Sequence, residues 1–177
     1  MKPTETLKEE HRVIERGLAA LSRAVERLEM GEEVPGEILD KAVDFIRGFA
    51  DRCHHQKEED ILFPYLEGKG LTRDRGPVGV MLAEHDVGRE HVRGMSEAIE
   101  NEAPQAFVAH ARAYLELLGD HIAKEDDVLF PMADQLMTPV EAEELMSEFE
   151  GVEEEQEEAH HKYLGVVREL EEYLGIE

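Results

Sequence analysis

One segment of this chain occurs twice in the same register. His54-His55-Gln56-Lys57-Glu58-Glu59-Asp60-Ile61-Leu62-Phe63-Pro64 and His121-Ile122-Ala123-Lys124-Glu125-Asp126-Asp127-Val128-Leu129-Phe130-Pro131 align on Leu-Phe-Pro. The second copy belongs to a long stripe at steps of four and three: Phe107, Ala111, Tyr114, Leu118, His121, Glu125, Val128 and Met132. That spacing predicts the buried face of an amphipathic helix. Two members of the stripe are not apolar. His121 and Glu125 lie one helical turn apart, so both leave the same face toward the interior. An unpaired buried carboxylate is costly, so the interior must supply a partner for it. The repeat pairs His54 with His121 and Glu58 with Glu125. His55 with Glu59 has the same spacing, but it falls opposite Ile122 and Asp126.

The other helices follow the same rule. Thr6 with Glu9 reads as a capping box, opening a stripe of Leu7, His11, Ile14, Leu18, Leu21, Val25 and Leu28. Residues 31–36, with Pro35, form the first turn. The second helix turns Val43, Ile46, Ala50, His54, Glu58, Ile61 and Tyr65 inward, with Pro64 expected to kink its last turn. Residues 68–77 make the longest central loop. A third helix carries Val78, Met81, His85, Gly88, Val92, Met95 and Ile99. Gly88 implies close approach of a neighbouring helix or room for a ligand. Short connections predict an all-α, up-down-up-down four-helix bundle over residues 1–137. Thr138-Pro139-Val140-Glu141 reads as a further helix start. Residues 138–177 then form a C-terminal helical extension packed on the bundle, with His160, Leu164, Val167, Leu170 and Leu174 on its inner stripe.

Composition narrows the function. The 43 Asp and Glu against 19 Lys and Arg leave a formal charge of −24, which argues against binding nucleic acid or anionic membrane. The single cysteine, Cys53, rules out an intramolecular disulfide. With no apolar run of membrane-spanning length and no signal-peptide hydrophobic region, a soluble cytoplasmic protein is expected.

Four core stripes therefore supply His11, His54 with Glu58, His85, and His121 with Glu125. Four imidazoles and two carboxylates suit a pair of divalent first-row metals. The order H…HxxxE…H…HxxxE, from Leu7 to about Met132, resembles the hemerythrin-like, or HHE cation-binding, domain. That resemblance implies a hemerythrin-like bundle holding two Fe ions in a non-haem di-iron centre. His11 and His54 would ligate one iron and His85 and His121 the other. Glu58 and Glu125 would bridge them, with an oxo or hydroxo group between the metals, and an open position would take O2, NO or peroxide. Zn or Mn is the alternative metal.

The oxygen-carrying members place two histidines one turn apart on the third helix, whereas Met81 and Arg89 flank His85 here. The set is one His short of the carriers' five. The vacancy is either an open coordination position or the place of His160. His55, His91, His110 and His161 lie off the stripes and read as surface residues. Three functions share these ligands. The first is a di-iron protein that binds or senses O2 or NO or takes part in iron handling. The second is a di-iron oxidoreductase consuming peroxide or NO, or serving iron–sulfur repair. The third is a zinc-binding structural or interaction bundle.

Overall fold

The computed structural model describes residues 1–74 and 76–176, and position 75 of the central loop lies outside the described residues. The first helix, α1 (Pro3–Glu29), begins earlier than the Thr6 capping box predicts. Pro3 takes the first helical position, and the Lys2 amide donates to the Glu5 carboxylate at 2.9 Å. Thr6 is buried within the helix. A continuous helix, α2, spans 36–68, α3 is Pro77–Glu100, and α4 spans 104–136. These four pack as antiparallel neighbours around one square, α1 beside α2 and α4, and α3 beside the same two. At Gly88 a Cβ would sit 3.4 Å from the ring of Tyr114 on α4, in ordinary contact. Among the described residues no helix is long and apolar enough to cross a membrane.

Two of the four helices are not uniformly α. In α2 the segments Ile46–His55 and Glu58–Leu62 are π-helical, and so is Glu125–Leu129 in α4. A π turn closes its hydrogen bonds over five residues instead of four, so it uses an extra residue and delays the inward face. The stripes shift accordingly. Below Glu125 the buried residues are Leu129 and Ala133, while Val128 is 52% exposed and Met132 half-buried. Below Glu58, Leu62 and Leu66 are buried, Ile61 stays buried as the stripe predicts, and Tyr65 is half-buried. The shared displacement of Leu62 with Leu129 and of Leu66 with Ala133 preserves the alignment of the repeats. It also places Phe63 and Phe130 fully inside.

The core divides into two apolar layers. One contains Ile14, Leu18, Phe45, Phe49, Val92, Phe107 and Leu118. The other contains Leu7, Leu62, Phe63, Met81, Leu129 and Phe130. The polar members of the stripes fall between them.

Residues 138–176 supply both layers. Thr138 caps α5 (Pro139–Glu155) as the sequence predicts, its hydroxyl accepting from the Glu141 amide at 3.2 Å. Leu145 and Phe149 of α5 join the second layer. Tyr163, Val167, Leu170 and Leu174 of α6 (Glu157–Leu174) join the first. Both helices lie against α1 and α2. The approach is closest at Gly48, where an added methyl group would overlap the phenol of Tyr163. Gly48→Ala is expected to destabilise the protein by about 1–3 kcal/mol through overpacking. Hydrogen exchange should accelerate first in Tyr163–Leu174, and an unchanged exchange pattern there would count against this contact.

Candidate metal centre

Between the two apolar layers, seven side chains point at a common space. His55, Glu58, His85 and His121 form one group with ligand atoms within 4.8 Å of one another, and His11, His54 and Glu125 form a second. All seven are buried. His54 Nε2 lies 3.2 Å from Glu58, His121 Nε2 lies 3.1 Å from Glu125, and His11 Nε2 reaches across to Glu125 at 3.3 Å. The Nε2 atoms of His85 and His121 are 3.2 Å apart. Phe130 stacks on His11 and Phe63 on His85, closing the space below.

Every one of these five imidazoles is held from behind by a carboxylate on Nδ1. Asp126 holds His11 at 2.7 Å, Glu10 holds His54 at 3.1 Å, and Asp51 holds His55 at 3.2 Å. Glu59 holds His85 at 2.8 Å and Glu84 holds His121 at 3.0 Å. Behind the carboxylates stands a ring of cations. Arg12 pairs with Asp126, Lys57 with Glu10, Lys124 with Glu84, and Arg89 with both Asp51 and Glu59. The arrangement nearly repeats about a twofold: Glu10 and Glu84 each precede the His of their own helix and hold the His of the next. Glu59 and Asp126, aligned in the repeat, each hold the His of an odd-numbered helix.

This layering carries a specific chemical meaning. An Nδ1–H donated to a carboxylate leaves Nε2 as a lone-pair donor aimed inward, and such carboxylate–histidine pairs are the usual support of metal-ligating imidazoles. Most of the inward atoms lack partners of their own. Nε2 of His11 and His54 and all four oxygens of Glu58 and Glu125 are buried without a hydrogen bond. Buried polar groups are ordinarily satisfied, and lone pairs converging on one point are what a cation satisfies. The donor set, imidazole nitrogens with carboxylate oxygens, suits iron, zinc or manganese.

The profile of the hemerythrin HHE cation-binding domain matches residues 2–133. The chain belongs to that family. It is also similar to an uncharacterized protein of Mycobacterium tuberculosis (strain ATCC 25618 / H37Rv), 29% identical over 97% of this chain and 70% of that protein. The iron-sulfur cluster repair protein YtfE of Enterobacter sp. (strain 638) is 35% identical over 45% of this chain and 40% of its own length. YtfE of Escherichia coli (strain K12 / DH10B) is 33% identical over the same shares. No solved structure matches the chain.

Within this hemerythrin HHE domain the structure gathers His11, His54, Glu58, His85, His121 and Glu125, as the stripes predict. Two expectations change. His160 stands apart from both groups: its ring lies against Phe49 at 5.4 Å, on the first apolar layer. His55, expected at the surface, is 5% exposed and stacks on His85 with ring centroids 3.8 Å apart. The π segment ending at His55 explains this. Wider turns leave neighbouring residues less far apart about the axis, so Cys53, His54 and His55 all face inward. The sequence signal for His55 is Asp51, one turn earlier and acidic, as each of the other four histidines also has an acidic support. His55 aligns with Ile122 in the second repeat, which is also buried. One half of the centre therefore has three imidazoles and the other half two.

Protonation follows from this packing. Burial, then the charge of Glu125, pushes Glu58 well above the usual carboxylate range. Burial acts on Glu125 too, but the charge of His121 and the close approach of Glu58, His11 and His121 outweigh it and hold Glu125 well below that range. Without metal the carboxylate pair thus keeps one proton. Burial and the neighbouring His85 push His55 well down, favouring the neutral imidazole.

Proposed function

We propose that this hemerythrin HHE domain is a non-haem di-iron protein that binds or senses a small diatomic ligand, O2 or NO, or takes part in iron handling. The observation that carries the reading is the convergence of five carboxylate-backed imidazoles on two buried, unpartnered carboxylates. His55, His85 and His121 would hold one iron, His11 and His54 the other, with Glu58 and Glu125 between them. Bound iron would supply redox chemistry and a place for the ligand. The chain's own part is orientation and exclusion. The five Nδ1 supports fix each tautomer. Phe63 and Phe130 keep water from the lower side of the centre. The Glu58 proton would be displaced on metal uptake.

A second reading, an oxidoreductase of the iron–sulfur repair type, is supported by the similarity to YtfE. Delivery of iron to a cluster-free acceptor protein would favour it, and reversible ligand binding without delivery would favour the first.

Elemental analysis of iron-grown protein is the direct test. About two irons per chain are expected. His55→Ala should lose or weaken one of them by well over the roughly 10–100-fold typical of an outer partner, while His160→Ala should leave the content unchanged. Zinc retained with no iron spectrum would overturn the reading in favour of a structural bundle. Two tightly held irons in His55→Ala would remove His55 from the ligand set.

A further inference from the structure

One cavity reaches the centre from outside. It lies between α2 and α3, holds about 280 Å³, and has His55, His85, Gly88 and Tyr114 along its walls. Its other charged lining is Arg47, Arg52, Arg89 and Arg93 with Asp51 and Glu84. The two carboxylates are already engaged. Asp51 is tied to His55 and Arg89, and Glu84 to His121 and Lys124. Arg47, Arg52 and Arg93 have no carboxylate within ion-pair reach among the described residues. In a chain with 43 acidic residues and 19 basic ones, three unpaired guanidiniums around one opening are a marked exception. Most of the other arginines are paired, among them Arg12, Arg16, Arg23, Arg73 and Arg112.

We propose that this cavity is the binding site and approach path of a small inorganic anion, drawn in by Arg47, Arg52 and Arg93 and held against the His55–His85 face of the centre. A guanidinium presents a planar fork of donors that suits an oxyanion or a linear anion. A cleft lined by one sign of charge between low-dielectric walls raises the local concentration of the opposite ion. Here it would do so against the repulsion of the protein's own net charge. The small volume favours an anion of a few atoms over a peptide side chain. Gly88 keeps the floor open, since a side chain there would project toward Tyr114. That the anion's destination is a metal rests on the di-iron reading, whereas the anion site itself does not.

Azide is a suitable probe, because its infrared stretch reports its surroundings with or without metal. In metal-free protein a saturable azide site is expected, weakened at least tenfold in Arg47→Gln/Arg52→Gln/Arg93→Gln. In iron-loaded protein the same triple variant should slow azide association about tenfold, within the range that steering supplies, and remove most of its dependence on salt. Association of uncharged NO should change less than twofold. Metal-free parent and variant binding azide alike would overturn the proposal. So would binding of poly-glutamate, but not azide, at the same arginines, which would make them a docking surface for an acidic protein. If the protein takes up no iron, the di-iron reading fails, and the metal-free titration still decides the anion site.

Discussion

Glu58→Gln combined with Glu125→Gln is expected to abolish metal retention while stabilising the metal-free protein. Both carboxylates are 0% exposed, and none of their four oxygens has a hydrogen-bond partner. A metal would neutralise and coordinate them. Without one they share one proton and bury one charge between them, and replacing such a buried charge with neutral groups of similar volume is commonly worth about 1–4 kcal/mol. The effect has a pH signature. The folded-state value of Glu58 is raised, so the folded protein binds its proton more tightly than the unfolded chain does. That stability is fully present below the ordinary carboxylate range and is lost as pH rises through the folded value. Metal-free parent protein should therefore weaken with rising pH above about pH 5, by at most about 1.4 kcal/mol per pH unit for this one proton. The Gln pair lacks that slope. Urea melts of both metal-free proteins across this range are the measurement. A double variant less stable than the parent at every pH would mean the carboxylates have a structural partner other than metal.

Lys57→Met should be the most damaging single change in the outer ring. Lys57 is 2% exposed and sits between Glu10, at 2.5 Å, and Glu153 of α5, at 3.2 Å. Its removal leaves Glu10 buried with only the His54 ring beside it. Breaking a buried pair in this way typically costs about 3–5 kcal/mol, which for a chain this size lowers the melting temperature by about 10 °C. Metal affinity should fall as well, by up to about 10–100-fold, because Glu10, the support of His54, loses the cation that holds it. Lys124 occupies the same place in the second repeat and pairs with Glu84, yet its side chain is 43% exposed. Water screens that pair, so Lys124→Met should cost less than about 1 kcal/mol. Adding Glu10→Gln to Lys57→Met should recover much of the loss. Equal effects of the two lysine changes would show that burial by the C-terminal helices is not what separates them.

The inner constellation is legible in the sequence. A His or Glu on an apolar stripe cannot face water without breaking the helical period, so His11, His54, Glu58, His85, His121 and Glu125 had to point inward. The repeat set the register, and the Thr138 cap marked the extension because capping is a contact between near neighbours in sequence. Turn hydrogen bonding lies beyond what an ideal period can encode. The π turns moved Leu129 and Ala133 inward in place of Val128 and Met132, and they rotated His55 beside His85. A 3.6-residue period assigns His55 to the surface because it assumes every turn is the same width. Glu10 and Glu84 each stand directly ahead of a stripe histidine in the sequence, but the histidines they hold lie on other helices. Only packing could pair them. The same holds for His160: its stripe aimed it at the bundle, and the close seat of α6 on Gly48 decided that it meets Phe49 and not the centre. Local periodicity settles which residues are inside, because burial is a property of one helix face. Which of them meet depends on how helices are wound and how closely they approach, and those distances exist only in the folded chain.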